Sequence, residues 1–194
     1  MRLSRITAPL SCLFVLACAG ASTETVPSGP PPDWKLASVS MSTGNQFQAV
    51  GGSGGQISVQ ITGHDLYGAT LNLSAGKGYI RGQGASGPVD VTITGNQARG
   101  SAKNTLFSCI VDTNPAGGAH VTGAMGAGNT DFIISPKEIS GRIGIITYAL
   151  AWNGKRYEGT TMPGGNAWVM LPAAMASWSD PEAACTIALL LFGA

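Results

Sequence analysis

The stretch IITYALAWNGKRYEGTTM, residues 145–162, carries the strongest fold signal in the chain. Asn153 and Gly154 separate two runs of strand-forming residues, and Asn-Gly favours a two-residue hairpin loop because both loop positions take positive φ. A two-residue loop at this dipeptide places Tyr148 opposite Gly159, where the glycine leaves room for the ring. The stretch therefore predicts an antiparallel β-hairpin.

Alternation along the same stretch predicts one apolar face and one solvated face. The apolar face consists of Ile146, Tyr148, Leu150, Trp152 and Tyr157. The other face carries Ala149, Ala151, Arg156 and Glu158. Four aromatic residues are candidates for lining a ligand pocket, with packing in the core as the alternative: Tyr148, Trp152, Tyr157 and Trp168.

Repeated segments extend the hairpin pattern along the chain. Residues 71–82 align with residues 89–100 at a shift of 18, and residues 89–111 align with residues 130–152 at a shift of 41. The second strands of these repeats have the form apolar-x-Gly and end at Gly82, Gly100, Gly123 and Gly141. A glycine on the inward pleat lets a sheet bend or lets a neighbouring ring cross it. The repeats predict successive hairpins of one antiparallel meander.

The last part of the chain predicts a helix. Ser179, Pro181 and Glu182 form a capped helix start, and residues 183–192 (AACTIALLLF) are apolar nearly all round. About ten residues cannot span a bilayer. We therefore expect a buried helix over residues 180–192 that covers a sheet face or one mouth of a barrel. The predicted fold class is mostly β: an antiparallel meander forming a barrel or two-layer sandwich, with a C-terminal apolar helix.

The first residues predict export. Two arginines precede an apolar segment, residues 6–17, that is too short for a transmembrane helix. Residues 15–18 (VLAC) resemble the lipobox of bacterial lipoproteins. This resemblance implies a thioether-linked diacylglycerol on Cys18, which anchors the protein in the cell envelope, at the outer membrane or cell surface. Ordinary secretory cleavage after Ala21, which would give a periplasmic or secreted protein, is the alternative.

The predicted organisation has three parts. Residues 1–18 form the lipoprotein signal segment and end at Cys18. Residues 19–33 form a tether rich in Pro, Ser and Gly, without apolar periodicity. Residues 34–194 form a single β-rich domain that includes the C-terminal helix.

The cysteines predict one disulfide. Removal of Cys12 and lipidation of Cys18 would leave Cys109 and Cys185. An even pair in an exported chain favours a disulfide, which would stabilise the fold by roughly 4 kcal/mol in the chain-entropy model. Two buried thiols are the alternative.

Composition argues against a nucleic-acid partner. Only 11% of the residues are charged, and the formal net charge is +1. Removal of Arg2 and Arg5 with the signal segment would bring that charge to −1. Nucleic-acid binding needs a basic patch that displaces counterions. The hydrophobic fraction of 44% nevertheless excludes a disordered chain.

The sequence around each possible catalytic or metal-binding motif does not fit the structure that the motif requires. Residues 51–55 (GGSGG) match G-x-S-x-G, but a strand follows where a nucleophile elbow needs a helix. Residues 82–87 (GQGASG) match G-x-G-x-x-G, but Pro88 and a strand follow, so no helix N-terminus can receive a phosphate. The two histidines, His64 and His120, stand at no metal-ligand spacing from a cysteine or a carboxylate other than Asp65. Neither a metal nor a cofactor is expected.

Three functions fit these observations. The first is a non-catalytic interaction or structural module at the cell surface or in the periplasm, with an unknown protein or small-molecule partner. The second is a carrier of a small hydrophobic ligand inside a barrel. The third is a hydrolase or inhibitor whose site is not recognisable from the sequence.

Overall fold

A computed structural model describes residues 39, 41, 44–51, 55–114 and 117–193. All of them belong to one unit, Pro31–Ala194. The expected signal segment, lipidated Cys18, the tether and the serine of the G-x-S-x-G match lie outside the described residues.

Fourteen antiparallel strands form one closed barrel, so the fold is mostly β and a barrel rather than a sandwich. The strands are β1 Gln46–Val50, β2 Gln56–Thr62, β3 Asp65–Gly68, β4 Asn72–Gly76, β5 Tyr79–Gly84, β6 Gly87–Thr94, β7 Gln97–Ala102, β8 Thr105–Thr113, β9 Ala119–Met125, β10 Gly128–Ile134, β11 Glu138–Ile143, β12 Ile146–Trp152, β13 Tyr157–Met162 and β14 Gly165–Met170. Each strand pairs with the next, and β1 pairs with β14 to close the ring. The predicted antiparallel meander is confirmed.

The alternation of side chains explains why the sheet closes with an apolar interior. In β6, the residues Val89, Val91 and Ile93 are buried while the residues between them are exposed. The same alternation recurs in β8 to β12. Inward-facing side chains of the strands join one hydrophobic core. The outer surface consequently carries most of the small polar residues.

The helix α1, Asp180–Phe192, lies inside this barrel. Its residues Ala183 to Leu190 are fully buried, and it approaches β4, β5, β7, β8, β9 and β11. Thirteen helical residues rise about 20 Å, which matches the height of six- or seven-residue strands. The expectation that the helix covers a sheet face or a barrel mouth is therefore wrong, because the helix fills the interior.

Contacts at its two ends show that α1 runs along the barrel from one opening to the other. We call the opening where α1 begins the N-end and the other opening the C-end. At the N-end, Trp178 Nε1 donates to the carbonyl of Gly63 at 2.9 Å. At the C-end, Lys103 Nζ donates to the carbonyl of Phe192 at 2.7 Å. A short 3₁₀ helix, Ala173–Ser177, leads from β14 into the N-end.

The width of the ring explains why a helix is needed. Eight strands make a barrel whose own side chains fill it, whereas sixteen or more leave an open channel. A fourteen-stranded ring lies between these cases and is too wide for inward side chains alone. A helix surrounded by barrel wall must be apolar on every side, which is the pattern that residues 183–192 show.

Glycines at equivalent positions of alternate strands let the wall curve. They are Gly82, Gly100, Gly123, Gly141 and Gly159 in β5, β7, β9, β11 and β13. A Cβ atom on any of them would overlap the main chain of a neighbouring strand. The bending role predicted for Gly82, Gly100, Gly123 and Gly141 is consistent with this geometry, because repeated glycines provide the corners of a closed barrel.

The β12–β13 hairpin has a different register from the predicted one. Tyr148 pairs with Thr161, and Leu150 pairs with Gly159. Pairing ends at Trp152–Tyr157, so residues 153–156 connect the strands, with Gly154 at φ +92°, rather than the predicted two-residue loop of Asn153 and Gly154. A shift of two residues preserves the face of every side chain, so the inward assignments of Ile146, Tyr148, Leu150 and Tyr157 stand. Tyr148 faces a glycine on its other side, Gly141 of β11.

Candidate functional site

The barrel wall has a notch at its C-end, where β3 is shorter than its neighbours. The β2–β1 ladder covers residues 56–60 of β2, whereas the β2–β3 ladder begins only at the pair Val59–Gly68. The chain then leaves β3 at Gly68 and resumes pairing in β4 at Asn72. Within the described part of the chain, residues 56–58 of β2 are therefore paired in a ladder on one edge only.

A cavity of about 210 Å³ coincides with this notch. Its wall combines the start of β2, the β3–β4 connection, the β5–β6 turn and the end of α1. The lining residues are Gln56, Ile57, Ser58, Val59, Gly68, Ala69, Thr70, Leu71, Ala85, Ser86 and Gly193. An apolar cavity of about 150 Å³ can hold benzene, so this one accommodates a small molecule or one large side chain.

The described residues that line the cavity offer apolar contacts and hydrogen bonds but no ionisable side chain. Its apolar part consists of Ile57, Val59 and Leu71. Ser86 Oγ donates to the carbonyl of Gly193 at 3.4 Å, which links the rim to the end of α1. The site therefore suits an uncharged group with an apolar portion.

Lys103 lies at the C-end of the barrel, next to the last residue of α1. Its ammonium lies 4.4 Å from the centre of the Phe192 ring and donates to the carbonyl of the same residue. Burial lowers the pKa of Lys103. The contact is explained as a helix C-terminal cap, because cations stabilise the negative end of a helix dipole.

The four aromatic residues considered from the sequence do not line this cavity. Tyr148 and Tyr157 are buried, and their hydroxyls donate at 2.8 Å to the carbonyls of Leu191 and Ser135 respectively. Trp152 packs against Tyr157 with ring centres 5.1 Å apart. Trp168 lies under the Arg156 guanidinium at 4.7 Å. They serve three separate packing contacts rather than one site.

Cys109 and Cys185 are both buried as free thiols, so the expected disulfide is not formed in the structure. Cys109 faces inward from β8, and Cys185 lies in the first half of α1. Burial raises the pKa of Cys109 to about 11. Burial, and then the nearby Cys109 charge, raise the pKa of Cys185. Both thiols are therefore protonated at neutral pH within the folded barrel.

The two histidines lie in different parts of the barrel. His64 stacks on Trp178 with ring centres 5.1 Å apart at the N-end. His120 lies on the outer wall, with Nε2 2.7 Å from Asp131 Oδ1. Asp112 is the strand partner of His120 and accepts from Asn96 Nδ2 at 3.1 Å. Across the described part of the chain, no group of three or more His, Cys, Asp and Glu side chains is placed to hold a metal ion.

The G-x-G-x-x-G match at residues 82–87 forms the end of β5, a turn and the start of β6. No helix follows it, so it is a hairpin turn. The sequence showed no sign of the notch, because its position depends on where the β2–β3 ladder ends. The nearest signal was the run of small residues at 68–70 (GAT).

No helix among the described residues is both long and apolar enough to span a membrane. Comparison of the chain with family models, with curated proteins and with solved structures found no match.

Proposed function

We propose that this protein is an exported lipoprotein whose barrel is a non-catalytic interaction or structural module of the cell envelope. The observation that carries the proposal is the filled interior. α1 occupies the space in which a carrier would hold its ligand, and its residues are buried against the strands. A solid barrel offers its outer wall and its two ends for contacts.

The outer wall supports a binding role better than a catalytic one. Its charged contacts are exposed: the ion pairs of Arg81 with Asp90 and of Arg156 with Glu158, and the contact of His120 with Asp131. Exposed pairs of this kind contribute little free energy. A hydrolase site would instead combine a nucleophile, a base and an orienting group at hydrogen-bond distances.

Anchoring through Cys18 would hold this module at the outer membrane or cell surface. A Cys18→Ser variant should leave the membrane fraction and lose labelling by a fatty-acid analogue. A wild-type protein that is already soluble and begins at Ser22 would instead establish the secreted or periplasmic alternative.

A small-ligand carrier is the second candidate, and the cavity at the notch is the observation that favours it. The cavity holds about 210 Å³, so its ligand would be far smaller than a lipid. Native mass spectrometry of the purified chain separates the two functions. An interaction module should show the mass of the chain with its anchor alone, whereas a carrier should retain a stoichiometric small molecule.

We also propose that oxidation after export, while the barrel is still folding and both thiols are accessible, joins Cys109 and Cys185. The two thiols are close enough for an ionised Cys109 to raise the pKa of Cys185, and they lie on elements that pack together, β8 and α1. Forming the S–S bond releases two protons and two electrons, which the thiol-oxidising system of an envelope compartment accepts. The bond would tie the helix to the wall.

Mass spectrometry of the unreduced mature protein tests this disulfide. A mass two hydrogens lower than that of the reduced chain, with a linked peptide pair, is expected. Two alkylatable thiols in protein isolated from the envelope would contradict it, and a Cys12→Ser variant controls for pairing with the signal segment.

A further inference from the structure

At the notch, main-chain N–H and C=O groups of β2 point to the β3 side of the strand, where the ladder with β3 has already ended. The amide of Ile61 donates to the carbonyl of Asn45 on the β1 side. Successive residues of an antiparallel strand direct their N–H and C=O groups to opposite edges. The groups of Gln56 and Ser58 therefore point to the β3 side, beyond the last ladder pair, Val59–Gly68.

An edge of this kind is a template for another strand. Proteins bind extended peptides by adding them to exposed strand edges, with main-chain hydrogen bonds giving affinity and pockets for alternate side chains giving specificity. Here the open edge and a pocket occupy the same place, because Gln56, Ile57 and Ser58 also line the cavity.

The lining defines which peptide fits. Three of the lining residues, Gly68, Ala69 and Ala85, are small, which favours the close approach of another backbone. Ile57, Val59 and Leu71 surround the space that one inward side chain would enter. The lack of ionisable lining groups excludes a charged side chain at that position.

We propose that the notch binds a short extended segment of a partner polypeptide, which adds to the β2 edge at Gln56 and Ser58 and inserts one leucine-sized apolar side chain into the cavity. The inference rests on the proposed function of the barrel as an interaction module. It names the site and the kind of partner. Its experiments measure hydrogen exchange at the β2 edge, whereas the proposed envelope role is tested by the membrane association of a Cys18 variant.

Hydrogen exchange of the free full-length chain provides the first test. The amide of Ser58 should exchange at least tenfold faster than that of Val59, although both lie in β2. Equal protection of the two amides would mean that the edge is already covered, and this result would overturn the proposal.

Titration with a defined peptide provides the second test. The probe is acetyl-Thr-Ser-Leu-Ser-Thr-amide, and the control peptide has glycine in place of leucine. Millimolar probe should slow Ser58 exchange at least tenfold and shift amide resonances around the cavity, while the glycine peptide should not. Failure of the leucine peptide, or an equal effect of both peptides, contradicts the proposal.

A cavity-filling variant tests whether the peptide slows Ser58 exchange by binding in the cavity. Ala85→Leu places a larger side chain in the cavity and should abolish the slowing of Ser58 exchange. Ala127→Leu changes an exposed turn alanine at the same end of the barrel but outside the cavity, and should retain it. Slowing that persists in a folded Ala85→Leu variant would overturn the proposed site.

Discussion

Tyr148 shows how one inward side chain links the wall to the helix. Its ring packs edge-on against Phe132 with centres 6.0 Å apart, and its hydroxyl donates to the Leu191 carbonyl at 2.8 Å. Burial raises the pKa of Tyr148 to about 12, so the folded state retains the neutral phenol. The inward position of this residue was predictable from alternation, but its helix partner was not.

Tyr148→Phe should reduce the free energy of unfolding by about 1 kcal/mol at neutral pH, because it removes one buried hydrogen bond. The folded pKa is raised, so the unfolded chain ionises first as pH rises. The contribution of Tyr148 to stability is therefore complete below pH 10 and is lost between pH 10 and about 12.

Urea denaturation of both proteins at pH 8 and pH 11 measures this difference. The Phe variant should lose less stability on going to pH 11 than the wild type. With the cysteines kept reduced, buried Cys109 and Cys185 also weaken the fold at alkaline pH, but they do so equally in both proteins. Parallel losses would show that the Tyr148 phenol is accessible to water.

Gly123 tests the role of the glycines in the wall. It adopts φ +139°, and a Cβ atom there would overlap the Ser108 carbonyl oxygen. Gly123→Ala should cost roughly 2–5 kcal/mol, from backbone strain together with crowding. Gly95→Ala is the matched control, since Gly95 has φ +59° and nothing within 4 Å of its Cβ position. The control should cost about 1–2 kcal/mol.

Thermal or urea unfolding of the two glycine variants decides the point. Equal losses would mean that positive φ alone accounts for Gly123 and that the wall has room for a side chain there.

At the scale of elements, the start of α1 is fixed by a buried glutamate. Glu182 accepts from the Gly78 amide at 3.0 Å and from the Ser179 hydroxyl at 2.7 Å. It therefore caps the helix and joins it to the β4–β5 turn. The capping residues were evident in the sequence, whereas the bond to Gly78 arises only because the helix stands inside the barrel.

Glu182→Ala should destabilise the protein by roughly 2–4 kcal/mol, because it removes hydrogen bonds to a charged acceptor and leaves the Gly78 amide unpaired. Glu158→Ala is the control, since Glu158 also makes side-chain hydrogen bonds but lies exposed on the outer wall. Its loss should change stability little. Comparable losses in chemical denaturation would place Glu182 in contact with solvent.

The β12–β13 hairpin and the notch show which features of the strands the sequence predicts and which it does not. Alternation identified the faces of β12 and β13 correctly, because a face depends only on period two. The loop position was wrong because Gly154 begins the turn, while Asn153 Oδ1 accepts from the amides of Lys155 and Arg156. The four residues of β3 are too few to show alternation, so the notch beside it had no sequence signal.

At the scale of the whole molecule, repeats and glycine spacing predicted a meander, and a capped apolar run predicted a C-terminal helix. They could not predict the ring size, because closure depends on pairing between β1 and β14, which are far apart in sequence. The site of the helix follows from ring size, since a ring of fourteen strands needs a filling element. Without the ring size, an apolar helix is equally consistent with a position on the face of an open sheet.

The central claim is that α1 fills the barrel, and amide hydrogen exchange tests it most directly. The amides of Ala184 to Leu190 should be as protected as those in the middle of β8 and β9, and should exchange only through global unfolding. Helix amides that exchange through local opening while the β8 and β9 amides remain protected would contradict the account, because they would place the helix outside a barrel that closes without it.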